Sequence, residues 1–194
     1  TIAIFDFDGT LTTKDTFIEF AKYSVGWGCL IKGIIKSLPW LLAWKLHLIA
    51  GGKAKEQLFS QLYKGMSLTT FEEYCLNFAD RISKIERRNL VEYLHSHLKK
   101  KDQVFIVSAS FPEWIIPWAK RHGISENCII GTGIETDNYD ILTGKFSTPN
   151  CNEAEKVKRV REYIPYLSDC EIYAYGDSSG DRAILNVADH PFWV

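Results

Sequence analysis

An apolar run, Ile2-Ala3-Ile4-Phe5, stops at two aspartates one residue apart, Asp6 and Asp8, followed by Gly9 and Thr10. A buried strand has no packing reason to end in this way. Two carboxylates at that spacing repel, and burial makes each ionised form costlier unless a cation or a proton intervenes. The pattern points to a metal site, a reaction site or both; the competing reading is an exposed Asp-Gly turn. Two more apolar runs end alike, Val104-Phe105-Ile106-Val107 at Ser108 and Glu171-Ile172-Tyr173-Ala174-Tyr175 at Gly176-Asp177. In a parallel sheet the three ends would meet on the carboxyl edge, where open α/β sheets bind ligands. The turns Gly9-Thr10 and Gly176 to Gly180 would present backbone N–H groups to an anion. Asp6, Asp8, Asp177 and Asp181 in one cleft need a hard divalent cation, and oxygen ligands suit Mg²⁺. Lys156 would bring a positive charge to the same cleft, although Glu-Ala-Glu-Lys-Val-Lys-Arg by itself reads as a solvated helix face.

The elements that must position these residues alternate between strand and helix patterns, which predicts a doubly wound α/β core. Residues 16–84 read as helical throughout, divided at Pro39 and at Gly51-Gly52. A helix is expected from Glu86 to Lys100, closed by Lys99, Lys100 and Lys101. Pro112 opens the next, through Trp114, Ile115 and Trp118, with a kink at Pro117. Ile129–Glu135 and Ile141–Phe146 read as short strands of a hairpin flap. Helices follow over Asn152–Tyr163 and Asp181–Ala188, and Phe192-Trp193-Val194 reads as a closing strand.

The bulk properties are those of an ordinary globular protein: 194 residues, 46% hydrophobic and 24% charged. With a net charge of -1, nothing in the composition suggests a nucleic-acid surface. Five scattered cysteines without a C-x-x-C pair argue against a disulfide framework and a zinc knuckle, and favour a reducing cytosol. No basic segment precedes an apolar core at the start, so no signal peptide is expected and the chain reads as cytoplasmic.

Asp6-Phe7-Asp8-Gly9-Thr10-Leu11-Thr12 resembles motif I of the haloacid dehalogenase (HAD) superfamily. Ser108 matches its motif II, Lys156 its motif III, and Gly176-Asp177-Ser178-Ser179-Gly180-Asp181 its motif IV. All four fall in order and in the expected strand context. The resemblance implies a Rossmann-like core over residues 1–15 and 85–194, with residues 16–84 as an inserted helical C1 cap like that of phosphoserine phosphatases (subfamily IB). It implies that Asp6 is a nucleophile forming an aspartyl-phosphate, with Asp8 as the general acid and base. Ser108 would hold a phosphoryl oxygen and Lys156 would offset negative charge. Asp6, the Asp8 carbonyl and Asp177 would hold Mg²⁺, with Asp181 acting directly or through water. The second aspartate implies a phosphatase or phosphomutase, with a small phosphorylated substrate as partner.

Substrate choice in that family lies largely with the cap. Phosphoserine phosphatases carry a glutamate where this chain has Asp15, and two glycines where it has Ala109 and Ser110. Both departures weaken phosphoserine as the substrate. Gly9, Thr10, Asp15, Ala109 and Ser110 remain the expected substrate-binding positions. Trp27 to Ala50 is strongly apolar, with Leu30, Ile31, Ile34, Ile35 and Leu38 on one helical face and Lys32 and Lys36 on another. We expect these residues to form the core of the cap; the alternatives are an apolar pocket or a face resting on a membrane surface. The layout resembles a branch that includes phosphatidylglycerophosphate phosphatases, so a lipid-phosphate phosphatase is the alternative function, and a non-catalytic binding protein a third. His95 and His97 are expected to be solvated, His47 and His122 have no partner at metal-ligand spacing, and His190 is expected in a loop near the C-terminal end.

Overall fold

The computed structural model describes all 194 residues. Strand β1 (Ile2–Phe5) leads through a wide turn, Phe7–Leu11, into four consecutive helices: α1 (Thr16–Ser24), α2 (Gly26–Lys45), α3 (Gly51–Tyr63) and α4 (Leu68–Ile82). Helix α5 (Arg88–Lys99), β2 (Gln103–Val107), α6 (Pro112–Arg121) and β3 (Ile129–Ile130) return the chain to the sheet. A hairpin of β4 (Ile134–Thr136) and β5 (Leu142–Phe146) precedes α7 (Ala154–Tyr163) and β6 (Ile172–Gly176). Helix α8 (Arg182–Leu185) and β7 (His190–Trp193) close the fold.

The five sheet strands run in the order β3-β2-β1-β6-β7, all parallel. Phe5 pairs with Ile106 on one side and Tyr175 on the other, so β1, β2 and β6 end at one level. The chain builds outward from β1 through β2 and β3 on one side and then crosses to β6 and β7 on the other, which puts the switch point at the carboxyl end of β1. Successive side chains alternate faces. Ile2 and Ile4 pack with Val160 of α7, Ile164 just after it, and Ile184 and Leu185 of α8. Ala3 and Phe5 pack on the other face with α5, α6 and the helical insert.

The insert shares that second core. Phe20 of α1 stacks on Trp114 of α6 at 4.7 Å, and Phe59 of α3 meets Phe111 at 5.0 Å, edge to face. The hairpin is fastened to the insert as well. Phe146 N–H donates to Glu56 at 2.9 Å, and Leu142 and Met66 are joined backbone to backbone at 2.9 Å.

Several expectations need correction. Ile129–Glu135 is not one flap strand: Ile129 and Ile130 pair with Ile106 and Val107 as the sheet edge, and only Ile134–Thr136 joins the hairpin. Pro39 does not divide the insert, since α2 runs through it. The last helix is one turn, Arg182–Leu185, after a tight turn over Ser179–Asp181. Trp27 to Ala50 is not the core of the insert. Only Leu30, Gly33 and Ser37 of α2 are buried, on the side facing Leu58 and Leu62 of α3. His97 is buried between Asp102 (2.7 Å) and the Tyr175 hydroxyl (3.0 Å). His122 contacts His95 and Glu86. His190 is in β7 opposite Tyr173, bonded to Glu171, at the end of the sheet away from Asp177.

One buried group conflicts with the fold around it. A carboxylate oxygen of Glu113, in the first turn of α6, is buried without a partner. Burial raises its pKa to about 7, with Glu72 adding repulsion. The folded state therefore binds an extra proton between pH 4.5 and about 7, and this group's contribution to stability is lost as pH rises through that window. Glu113→Gln is expected to stabilise the protein by about 1–3 kcal/mol at pH 8 and to have little effect at pH 4. Thermal unfolding at the two pH values measures this; equal shifts at both would contradict it.

Candidate active site

Asp6, Ser108 and Asp177 each follow a strand end, β1, β2 and β6, and the sheet register brings them to one edge. A cleft of about 360 Å³ opens there, lined by Asp6, Asp8, Gly9, Asp15, Ser108, Ala109, Lys156, Asp177 and Asp181 among others. The carboxylates of Asp6, Asp177 and Asp181 place one oxygen each within 4.8 Å of the other two. Lys156, fully buried, donates to Asp6 at 2.5 Å and Asp181 at 2.6 Å. It leaves α7 just after Glu153, whose backbone is left-handed (φ 51°) and whose N–H is held by the Gly180 carbonyl at 2.9 Å. The start of α7 is thus pinned to the turn that carries Asp181.

Three acids share one lysine, so the cluster keeps excess negative charge. Burial raises the Asp6 pKa to about 7; Lys156 opposes this, while Asp181 and Asp8 add to it. Burial also raises Asp177, with Asp181 contributing. Lys156 is held well above the usual lysine range: burial acts against its charge, and Asp6 and Asp181 overcome it. Hard oxygen donors with unbalanced charge fit a small divalent cation such as Mg²⁺.

Asp8 is held apart from this triad. Its Oδ1 accepts from Thr16 N–H at 2.6 Å and its Oδ2 from the Ser110 hydroxyl. Burial and the nearby Asp15 raise its pKa against those hydrogen bonds. A carboxyl so placed keeps a proton more readily than an exposed aspartate. Gly9 adopts φ +83°, and a Cβ there would lie 2.1 Å from an Asp177 oxygen, so only glycine lets the first loop pass the last.

Thr10 and Ser110 are not on the cleft surface, contrary to expectation. Both are fully buried; Thr10 donates to Asp177 at 3.4 Å and Ser110 to Asp8, so they orient carboxylates from behind. Asp15 lines the cleft and also caps α1, accepting from Ile18 N–H at 3.0 Å.

Two residues in the site escape a sequence reading. Lys55 of α3 reaches from the insert into the cleft and donates to the Ala109 carbonyl at 2.9 Å. Burial lowers its pKa, while Asp8, Asp15 and Asp6 oppose the shift. In the sequence, only its place one helical turn before the buried Phe59 signals this. Arg87 clamps the first loop from outside, donating to the carbonyls of Gly9 (2.7 Å) and Thr10 (3.2 Å). Its position at the start of α5 gives no such signal.

Residues 3–186 match the haloacid dehalogenase-like hydrolase family. The chain belongs to the haloacid dehalogenase-like hydrolases. Protein CicA of Caulobacter vibrioides is 32% identical over 192 residues, 97% of this chain and 83% of CicA. Among solved structures, a protein of unknown function from Bordetella pertussis Tohama I superposes with a TM-score of 0.72 at 20% identity. That match covers 95% of this chain and 85% of the other. A substrate-bound phosphoserine phosphatase superposes with a TM-score of 0.68 at 16% identity, covering 96% and 82%. At these identities the structural likenesses concern the haloacid dehalogenase fold alone.

Proposed function

We propose that this hydrolase is a Mg²⁺-dependent phosphomonoesterase that works through an aspartyl-phosphate on Asp6. The observation that carries the reading is the division of labour between two aspartates, Asp6 buried and Asp8 half-buried. Asp6 lies in the charged triad with Lys156, and Asp8 is held outside it on Thr16 and Ser110. In the first step a carboxylate oxygen of Asp6 attacks phosphorus and the ester P–O bond breaks. Asp8 gives its proton to the leaving oxygen. In the second step Asp8 takes a proton from water as that water attacks phosphorus, and the acyl-phosphate P–O bond breaks, releasing inorganic phosphate and free Asp6.

Lys156 stays protonated throughout and offsets charge on Asp6 and on the phosphoryl oxygens. Ser108, buried at the end of β2, supplies a hydroxyl to the same group. Asp6, Asp177 and Asp181 would hold Mg²⁺, whose charge would stabilise the anionic transition state. Residues 16–84 act as the cap in this reading and carry substrate selection, with Lys55 and Asp15 facing the cleft.

A small polar cleft supports a small organic phosphate as substrate. A second reading, a lipid phosphomonoester, draws on the exposed apolar residues of α2, which reach a mostly polar cleft of about 910 Å³ at Trp44; that cleft shares Asn152 with the site. Hydrolysis of an aryl phosphate tests the reaction class. Phosphate release that needs Mg²⁺ and stops on chelation is expected. Equal release with and without the metal would contradict the proposed site.

A further inference from the structure

The side of α2 turned away from α3 is largely uncovered, with the Lys22 ammonium 4.8 Å from the Trp27 ring near its start. Trp27, Ile31, Ile35, Leu38 and Leu42 follow one another at three- and four-residue steps, and all are exposed, Trp27 at 62%. Beyond the helix, Leu46 and Leu48 are exposed at 67% and 73%. A contiguous apolar surface of this kind marks an interaction site rather than ordinary scattered exposure.

Its charge is one-sided. No aspartate or glutamate occurs from Phe20 to Lys55, in a chain whose net charge is -1. Lys32 and Lys36, on another side of α2, and Lys45 in its last turn are exposed and take part in no ion pair with any acid of the chain. Tryptophans stand near both ends of the helix, Trp27 and Trp44, where an indole favours the boundary between hydrocarbon and headgroups. A second copy of this chain is a poor occupant. A two-fold contact would bring two sets of these lysines together with no acid from residues 20–55 to pair them. No helix is long and apolar enough to cross a membrane.

We propose that this face of α2, with Leu46 and Leu48, docks on an anionic lipid surface, lying in its plane with the apolar stripe inserted and the lysines among the headgroups. The chemistry is that of an interfacial amphipathic helix: apolar burial supplies most of the affinity, and each lysine near the surface adds attraction to anionic lipid. Trp44 at the end of α2 and His47 just beyond it line the cleft that adjoins the active site, so docking would bring that mouth to the lipid. The inference stands apart from the phosphatase reading, and its test needs no turnover.

The test is sedimentation of the full chain with vesicles of equal parts phosphatidylglycerol and phosphatidylcholine, and with phosphatidylcholine alone. Binding to the anionic vesicles that weakens as salt is raised is expected. Replacing the apolar stripe in one variant, Ile31→Glu with Ile35→Glu and Leu42→Glu, is expected to lower partitioning roughly tenfold or more. Its thermal midpoint should move little, because these side chains are half exposed and belong to neither core. A second variant, Lys32→Gln with Lys36→Gln and Lys45→Gln, should lower binding while leaving the apolar face intact. The proposal is overturned if the native chain stays in the supernatant with both vesicle types. Unchanged binding in both variants, or a dimer abolished by the first variant without vesicle binding, would overturn it equally.

Discussion

Replacing Asp6 with asparagine is expected to lower turnover of any accepted phosphomonoester by on the order of 10⁴-fold or more, while the protein stays folded. The amide keeps the shape of the carboxyl but removes the lone-pair charge that attacks phosphorus. Stability should not fall. The Asp6 pKa in the fold, about 7, lies above its ordinary 3.8, so the folded state holds an extra proton between those values. By linkage, its ionisation opposes folding, and stability is lost as pH rises through that window. A neutral isostere escapes this cost. In metal-free buffer at pH 8, Asp6→Asn should therefore unfold at or above the native temperature. Near-native turnover in this variant would exclude Asp6 as the nucleophile. A large drop in its melting temperature would contradict the electrostatic account.

The Lys156→Met substitution is expected to destabilise the fold by about 3–5 kcal/mol near neutral pH, and to lower activity with it. Methionine matches the aliphatic stem but leaves Asp6 and Asp181 buried without their cation. The sign can be checked by pH. Lowering pH protonates Asp6, so the deficit of Lys156→Met relative to the native chain should shrink below its pKa. A deficit independent of pH would mean that Lys156 acts through packing alone. Adding Mg²⁺ should recover part of the loss, since any ligand of the folded state stabilises it by mass action.

The site was legible in the sequence wherever a residue breaks the pattern of the element that carries it. Asp6 and Asp177 end apolar strands, and the parallel register of β1, β2 and β6 carries them to one edge. Lys156 was legible only through its place in the order of motifs, because Glu-Ala-Glu-Lys has no burial pattern of its own. Lys55 and Arg87 were not legible. Each depends on which loop packs beside it, Ala109 for Lys55 and Gly9 with Thr10 for Arg87, and those contacts span 54 and 77–78 residues.

The apolar stretch after α1 shows the same limit from the other side. Period and hydropathy describe a helix with an apolar face, and a buried core is the usual place for one. Whether a neighbour covers that face depends on the path of the remaining helices. Here α3 covers only the narrow strip of Leu30, Gly33 and Ser37, where a Cβ on Gly33 would meet Leu62 at 2.7 Å. His97 is buried for a reason that its own helix does not carry. It stands on a polar-looking helix, yet Tyr175 of β6 and Asp102 both reach it.

The central claim is that Asp6 carries the phosphoryl group between two proton transfers by Asp8. It is tested most directly by intact mass and peptide mapping of Asp8→Asn after mixing with an aryl phosphate and Mg²⁺. Without the Asp8 base, hydrolysis of the intermediate should slow more than its formation. A species one phosphoryl group heavier should persist, with the group on the peptide that contains Asp6. A heavier species mapped to any other residue would contradict the account, as would turnover at the native rate with no species trapped.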